Sequence, residues 1–395
     1  MLVAWLLLLA QDSQAEGLRA LDAKDYTAAV AAFEKAVAAD PNDYTAHFHL
    51  GLAHSMAGQK VQATRAWQRT LELKPGLYEA QLNLGILLLD GKRPQEAIPL
   101  LEAAAAAKPR EFRPAYYCGE ALLAAGKNPE AERQFRAVVE INPDSHPARA
   151  GLGRALAAQD KLKDAEAELR LAGDADGLLE LASRYEKAKN AASAISIYQN
   201  FPDNAAVRER LGELLLEAGR PQEAIPHLEA AVKQSPTAAN RYALATAYLR
   251  DKQNDKAGAM MEQALAADPN NGELILAYAG MLRDQKNFSA AAKMFWRGTQ
   301  LKPDSKDAWS GLATMLLSLE NYPQALAAFD RLEALGEVNP GVYFFKALAY
   351  DRSKLYKEAK ASYQRFLSLS QNRYPDEEFK ARQRIRVIDK ELSKR

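Results

Sequence analysis

Residues 78–111 read YEAQLNLGILLLDGKRPQEAIPLLEAAAAAKPRE, and this stretch decides the fold. Apolar side chains recur at helical spacing in two runs: Leu82, Leu84 and Leu88 in the first, Ala97 and Leu101 in the second. Asp90-Gly91-Lys92 separates them and reads as a helix stop followed by a new start. Pro109 lies just past the second run, where it cannot prolong a helix and fixes a bend. The stretch is therefore a pair of helices joined by a tight turn.

Outward from it the same pattern returns. Alanines at 29, 63, 97, 131 and 165 stand 34 residues apart. Ala194, Ala224 and Ala257 follow at shorter spacings, and Ala291, Ala325 and Ala359 resume the spacing of 34. Twelve residues before each sits a small residue: Gly17, Gly51, Gly85, Gly119, Gly153, Ala182, Gly212, Ala245, Ala279, Ala313 and Ala347. Four residues after each sits a large apolar one, among them Phe33, Trp67, Leu101, Phe135, Tyr198, Met261, Phe295, Phe329 and Tyr363. A small residue where two helices cross lets their backbones approach, and a large one a turn away fills the adjacent gap. Eleven copies start at 10, 44, 78, 112, 146, 175, 205, 238, 272, 306 and 340. The fifth and sixth are short, and their junctions are 172–177 and 200–204. Two readings stand for them: a shortened helix in a continuous stack, or a hinge between two blades.

The copy from Tyr44 supplies Leu50-Gly51, Ala63, Trp67 and Pro75, and the copy from Lys306 supplies Trp309, Leu312-Ala313, Ala325 and Phe329. This pattern resembles the tetratricopeptide repeat (TPR) family, whose 34-residue unit carries W-x2-L-G-x2-Y, A-x3-F and a closing proline. The resemblance covers about residues 10–373. It implies an all-α, right-handed superhelix (an α-solenoid) of eleven helix-turn-helix repeats with a C-terminal capping helix. It further implies a scaffold that presents a groove to a peptide or protein. The sequence divides into a candidate signal (1–10), an N-terminal block (10–174), a C-terminal block (175–373) and a basic capping helix (374–395).

Both ends depart from the repeat. Leu2–Ala10 is apolar and too short to span a bilayer, but it suits the core of an export signal. Such a signal would place the protein in the periplasm or outside the cell, with a mature chain beginning near Gln11 or Glu16; without it the protein is cytoplasmic. At the other end Asp376-Glu377-Glu378 open a helix whose apolar residues are Phe379, Ile385, Ile388 and Leu392, surrounded by Lys and Arg. Acid at the start and base at the end suit a helix dipole, and a solenoid end needs such a polar cover.

Composition excludes several functions. Lys+Arg 52 against Asp+Glu 51 leaves a net charge of +1, so no overall field gathers nucleic acid. One cysteine excludes an internal disulfide and any CxxC site. Among the five histidines, His47, His49 and His54 share a helix without the i,i+4 spacing of metal pairs. Cys118 stands at a position normally held by leucine and reads as a packed apolar group. No enzyme motif, cofactor, metal site or membrane span is expected.

The groove remains. In TPR folds its wall comes from the second, fifth, ninth and twelfth positions of each first helix. Carried onto this chain, those positions in copies two to four include Phe48, Leu52, Glu79, Leu82, Ile86, Leu89, Arg113, Tyr116 and Glu120, a mainly apolar set, and they become polar from the middle onward. Asn83 and Arg113 fit two positions of a carboxylate clamp, but Phe48 and Leu52 stand where the clamp needs Lys and Asn. That departure argues against a clamp. The expected partner is a protein or peptide whose apolar segment these residues grip, with Asn83 and Arg113 hydrogen-bonding it. The alternative is a self-associating scaffold, or a non-catalytic subunit of a cell-envelope secretion, assembly or glycosyltransferase complex.

Overall fold

The computed structural model describes residues 2–393, of which residues 2–10 are described as backbone alone. Among the described residues there are 23 helices and no strand. They fall into two compact units, Met1–Asn200 and Phe201–Arg395. The first contains α1 (Leu2–Asp22), α2 (Tyr26–Ala39), α3 (Tyr44–Met56), α4 (Lys60–Leu73), α5 (Tyr78–Asp90), α6 (Pro94–Ala107), α7 (Phe112–Ala124), α8 (Asn128–Ile141), α9 (His146–Ala157), α10 (Leu162–Ala172), α11 (Ala175–Lys187) and α12 (Ala191–Tyr198). The second contains α13 (Ala205–Glu217), α14 (Pro221–Gln234), α15 (Ala238–Arg250), α16 (Asn254–Ala267), α17 (Gly272–Asp284), α18 (Phe288–Leu301), α19 (Lys306–Ser318), α20 (Tyr322–Ala334), α21 (Pro340–Arg352), α22 (Tyr356–Ser370) and α23 (Pro375–Ser393). Within each unit successive helices pack in pairs, and each pair packs on the next.

Ten of the eleven repeat starts coincide with the first residue of a first helix. The exception is the first copy, where α1 begins at Leu2 and runs unbroken past residue 10. The candidate signal falls on Met1, outside the described residues, and on the side chains of 2–10, likewise outside them. Both short copies have shortened second helices: α10 has 11 residues and α12 has 8, against 14 in α8 and α14. The two units divide at the 200–204 junction; the block boundary drawn from sequence at 174/175 lies one copy earlier.

The repeated small–large pair is a steric lock. A Cβ placed on Gly85 would stand 2.6 Å from Leu101 Cγ, and one on Gly51 would stand 2.5 Å from Trp67 Cδ1. Phe135 is held from two sides, by Gly119 of its own copy and by Gly151 of the next, where an added Cβ would stop 2.9 and 2.4 Å from the ring. The third member, Ala131, is fully buried one turn before Phe135. Each lock thus joins the two helices of a copy, and Phe135 also joins one copy to the next.

The turn between the helices is another constraint. One residue in it takes a left-handed conformation in all eleven copies, but only Gly58, Gly126 and Gly219 are glycines. In the copy quoted first, Gly91 keeps φ −77° and Lys92 takes φ 56°. The expectation that glycine makes this turn is corrected there: the strained position lies one residue later. Lys, Asp or Glu occupies it in eight copies, at a steric cost of about 1–2 kcal/mol each.

At the C-terminal end α23 buries Ala381 and Ile388 against Tyr363 and Phe366, with Ile385 and Leu392 partly buried beside them. Arg384 clasps Asp351 through two hydrogen bonds of 2.6 and 2.7 Å. Phe379, grouped by sequence with the apolar residues of this helix, is 64% exposed. It lies two residues before Ala381, on the side turned away from the core.

Two outcomes test these constraints. Ala131→Leu overpacks a closed crossing and should lower stability by about 1–3 kcal/mol in urea unfolding. Lys286→Gly relieves a left-handed lysine and should raise stability by up to about 1 kcal/mol, glycine's extra chain entropy offsetting part of the relief.

Candidate partner-binding surfaces

The residues expected to form a groove lie on the first helices α3, α5 and α7 of the N-terminal unit. Phe48 and Leu52 on α3, Asn83 and Ile86 on α5, and Tyr116 on α7 are half-buried, and Arg113 is exposed. Leu82 is different: at 5% exposure it belongs to the core and offers a ligand almost no surface. Its backbone position is right, but α5 packs against helices on both sides and closes over that side chain. Phe48 meets His49 edge-on at 5.5 Å, and Tyr116 meets Phe135 at 6.0 Å and Tyr117 at 5.3 Å. Arg113 places its guanidinium 5.9 Å from the Tyr117 ring centre, so its neighbour in this state is aromatic.

Beyond Tyr116 the wall turns polar. Burial raises the Glu120 carboxyl above the ordinary range, against the pull of Arg154. Burial likewise raises the Tyr116 phenol, with Glu120 adding to the effect. Arg154 itself reaches Asp174, the cap of α11, at 2.8 Å. Apolar and charged positions of α7 and α9 thus meet around Tyr116.

No group of three or more metal-binding side chains occurs among the described residues. The histidines of α3 have other partners: His47 Nε2 lies 3.0 Å from the Pro41 carbonyl, and His54 Nδ1 lies 2.6 Å from Gln59 Oε1. His49 stacks on Phe33 at 5.4 Å, and burial holds its pKa below the usual histidine range. Cys118 is fully buried, and burial pushes its thiol up to about 12, far from a reactive thiolate. No helix of the described residues is long and apolar enough to cross a membrane.

A second surface was not anticipated. In the C-terminal unit α18, α19 and α20 border an open groove of about 690 Å³. Each helix contributes one face at i, i+3, i+4 and i+7 type spacing. Ser289, Ala292, Lys293 and Trp296 come from α18, and Gln324, Ala327, Ala328 and Arg331 come from α20. Trp309, Leu312 and Leu316 on α19 form the floor, with Leu319 just past that helix. Trp296 is 56% exposed and Leu319 is 42% exposed. The corresponding space between α4 and α5 is about 290 Å³ and is lined by Thr64, Arg65 and Gln68 beside Val61, Leu87 and Leu88.

The sequence held a signal for this surface. The residue after the large member of each lock is Glu, Gln, Arg or Asp in ten copies, as in Gln68, Arg136 and Asp330. In the ninth it is Trp296.

Comparison with known proteins bears on the class. Two models described as Tetratricopeptide repeat match the chain, one at 15–76, 57–111, 179–239 and 310–376, the other at 88–145, 122–183, 215–277 and 248–315. The matches span most of the chain, and the protein belongs to the tetratricopeptide repeat family. Among curated proteins it is similar to Protein O-mannosyl-transferase TMTC1 of Homo sapiens, 26% identical over 41% of this chain and 20% of that one. It is also similar to Type IV pilus assembly protein PilF of Pseudomonas aeruginosa, 25% identical over 40% of this chain and 64% of that one. The chain thus spans about a fifth of the first relative and less than two thirds of the second. Among solved structures, MamA 41-end from Desulfovibrio magneticus RS-1 aligns with a TM-score of 0.40 and 22% identity, over 42% of this chain and 94% of that one. A further MamA protein structure aligns with a TM-score of 0.40 and 21% identity, over 45% and 94% of the two chains. Likeness at that level carries no functional argument.

The raised Glu120 carboxyl gives a test of the polar wall. A carboxyl raised on folding binds its proton more tightly in the folded state. Its stabilising effect is present below the unfolded pKa of about 4.3 and is lost as pH rises through the higher folded value. Glu120→Gln should therefore raise the melting temperature near neutral pH, and the gain should vanish below about pH 4.

Proposed function

We propose that this protein is a non-catalytic TPR scaffold whose N-terminal unit takes an apolar segment of a partner protein along the first-helix face of α3, α5 and α7. The observation that carries this reading is the set Phe48, Leu52, Ile86 and Tyr116, apolar side chains left half-exposed on successive first helices. An apolar stripe that does not enter a core marks a contact surface. Arg113, exposed at its edge, is free to exchange its aromatic neighbour for a carbonyl or carboxylate of the partner. The buried Leu82 supports the shape of the wall rather than the contact.

A second reading is a non-catalytic component of a cell-surface assembly. The match to PilF, whose name places that protein in type IV pilus assembly, supports it. Under this reading the native protein would co-sediment with an envelope complex after mild detergent extraction, and a freely soluble protein would reject it.

Paired affinity and melting measurements on Phe48→Ser, Ile86→Ser and Arg113→Ala test the binding face. Arg113→Ala should weaken a physiological partner by about 2 kcal/mol or more if it is a hot spot, with little change in melting temperature. Equal binding by all three variants would remove the face from the mechanism. Melting losses that account for the affinity losses would assign these side chains to packing.

A further inference from the structure

The groove in the C-terminal unit is walled by the second helices α18 and α20 and floored by the first helix α19. We infer that it docks an acidic, amphipathic α-helix of a partner protein. Three observations on the surface itself carry this.

The first is chemical. Trp296 occupies a position that is polar in the other ten copies, and it stands 56% exposed beside Leu319. Exposed aromatic surface at the mouth of an apolar groove is the composition of an interface centre. The equivalent space between α4 and α5, where Gln68 stands in the place of Trp296, is a smaller cleft.

The second is the form of the groove. Its walls and floor are helices, whose backbone donors and acceptors are consumed internally. An extended peptide laid among them would leave its own N–H and C=O groups unpaired, whereas a helix arrives with them satisfied. Ala292 on one wall and Ala327 and Ala328 on the other leave room between the walls. The face from Ser289 to Trp296 covers seven residue steps, or about 10 Å of axis, which matches two turns of an incoming helix.

The third is charge. Lys293 and Arg331 stand on opposite walls, both are exposed, and no ion pair is found for either among the described residues. No acidic side chain lines the groove. A partner helix with apolar residues at i, i+3 or i+4, and i+7, flanked by Asp or Glu, satisfies both the floor and the rim.

The test uses the full chain and a displayed library of random peptides about four helical turns long. Enriched peptides should carry that apolar spacing with flanking acids. They should bind wild type about tenfold or more tighter than Trp296→Ala. The variant should melt like wild type, because the side chain is exposed. The double variant Lys293→Glu, Arg331→Glu should instead enrich Lys- and Arg-bearing helices. The proposal is overturned if nothing enriches, if the enriched peptides lack acids or helical spacing, or if Trp296→Ala binds them unchanged. Sedimentation showing that the chain alone self-associates through Trp296 would also overturn it, by making a second copy the occupant. Phe48→Ser, which tests the α3–α7 face, should leave library binding intact, so the two surfaces fail or stand separately.

Discussion

The contact between a small residue on a first helix and a large one on the following second helix governs the structure. Gly119 and Phe135 show why it is so restrictive: an added methyl would stop 2.9 Å from the ring. Close-packed interiors do not yield to such an intrusion without moving a helix. The pair therefore sets how closely two helices cross, and a fully buried alanine, such as Ala131, seals the crossing. Because Phe135 also meets Gly151 of the next copy, the same side chain fixes the step to the neighbouring pair. A solenoid assembled this way needs no distant contacts, and its stability accumulates copy by copy.

What this architecture leaves free is the outward residue beside each lock. It touches no core, so its identity is released from folding and available for recognition. Ten copies fill it with polar or charged side chains, as a solvated surface requires, and the ninth places Trp296 there. The first-helix wall keeps Phe48, Ile86 and Tyr116 half-exposed, although Tyr116 also meets the core ring of Phe135. Two surfaces of different chemistry thus sit on two compact units. One is lined by half-buried aromatic and aliphatic groups, the other by an exposed tryptophan with two exposed cations, Lys293 and Arg331.

The same packing engages the His54 ring and covers the Cys118 thiol. His54 spends its ring nitrogen on Gln59, and Cys118 is sealed where burial favours the neutral thiol. Near the wall, burial raises the Glu120 carboxyl and Arg154 pulls against that rise. Membership of the TPR family and this distribution of groups are consistent with a molecule that works by holding partners.

The sequence by itself determined the helical class, the copy count and the starts of ten first helices, because the lock leaves small and large residues at fixed spacing. Periodicity of this kind is local, and local steric demands are written directly in residue size. It could not place the left-handed turn residue, because Lys92 and Gly91 are adjacent and only backbone geometry separates them. Nor could it tell Leu82 from Ile86, since both are aliphatic on one helix and only neighbouring helices decide which is covered. The groove at Trp296 needed the tertiary structure for the same reason: three helices must be set side by side before an exposed tryptophan becomes the wall of a groove. Burial is a property of what packs nearby, and no single helix carries that information.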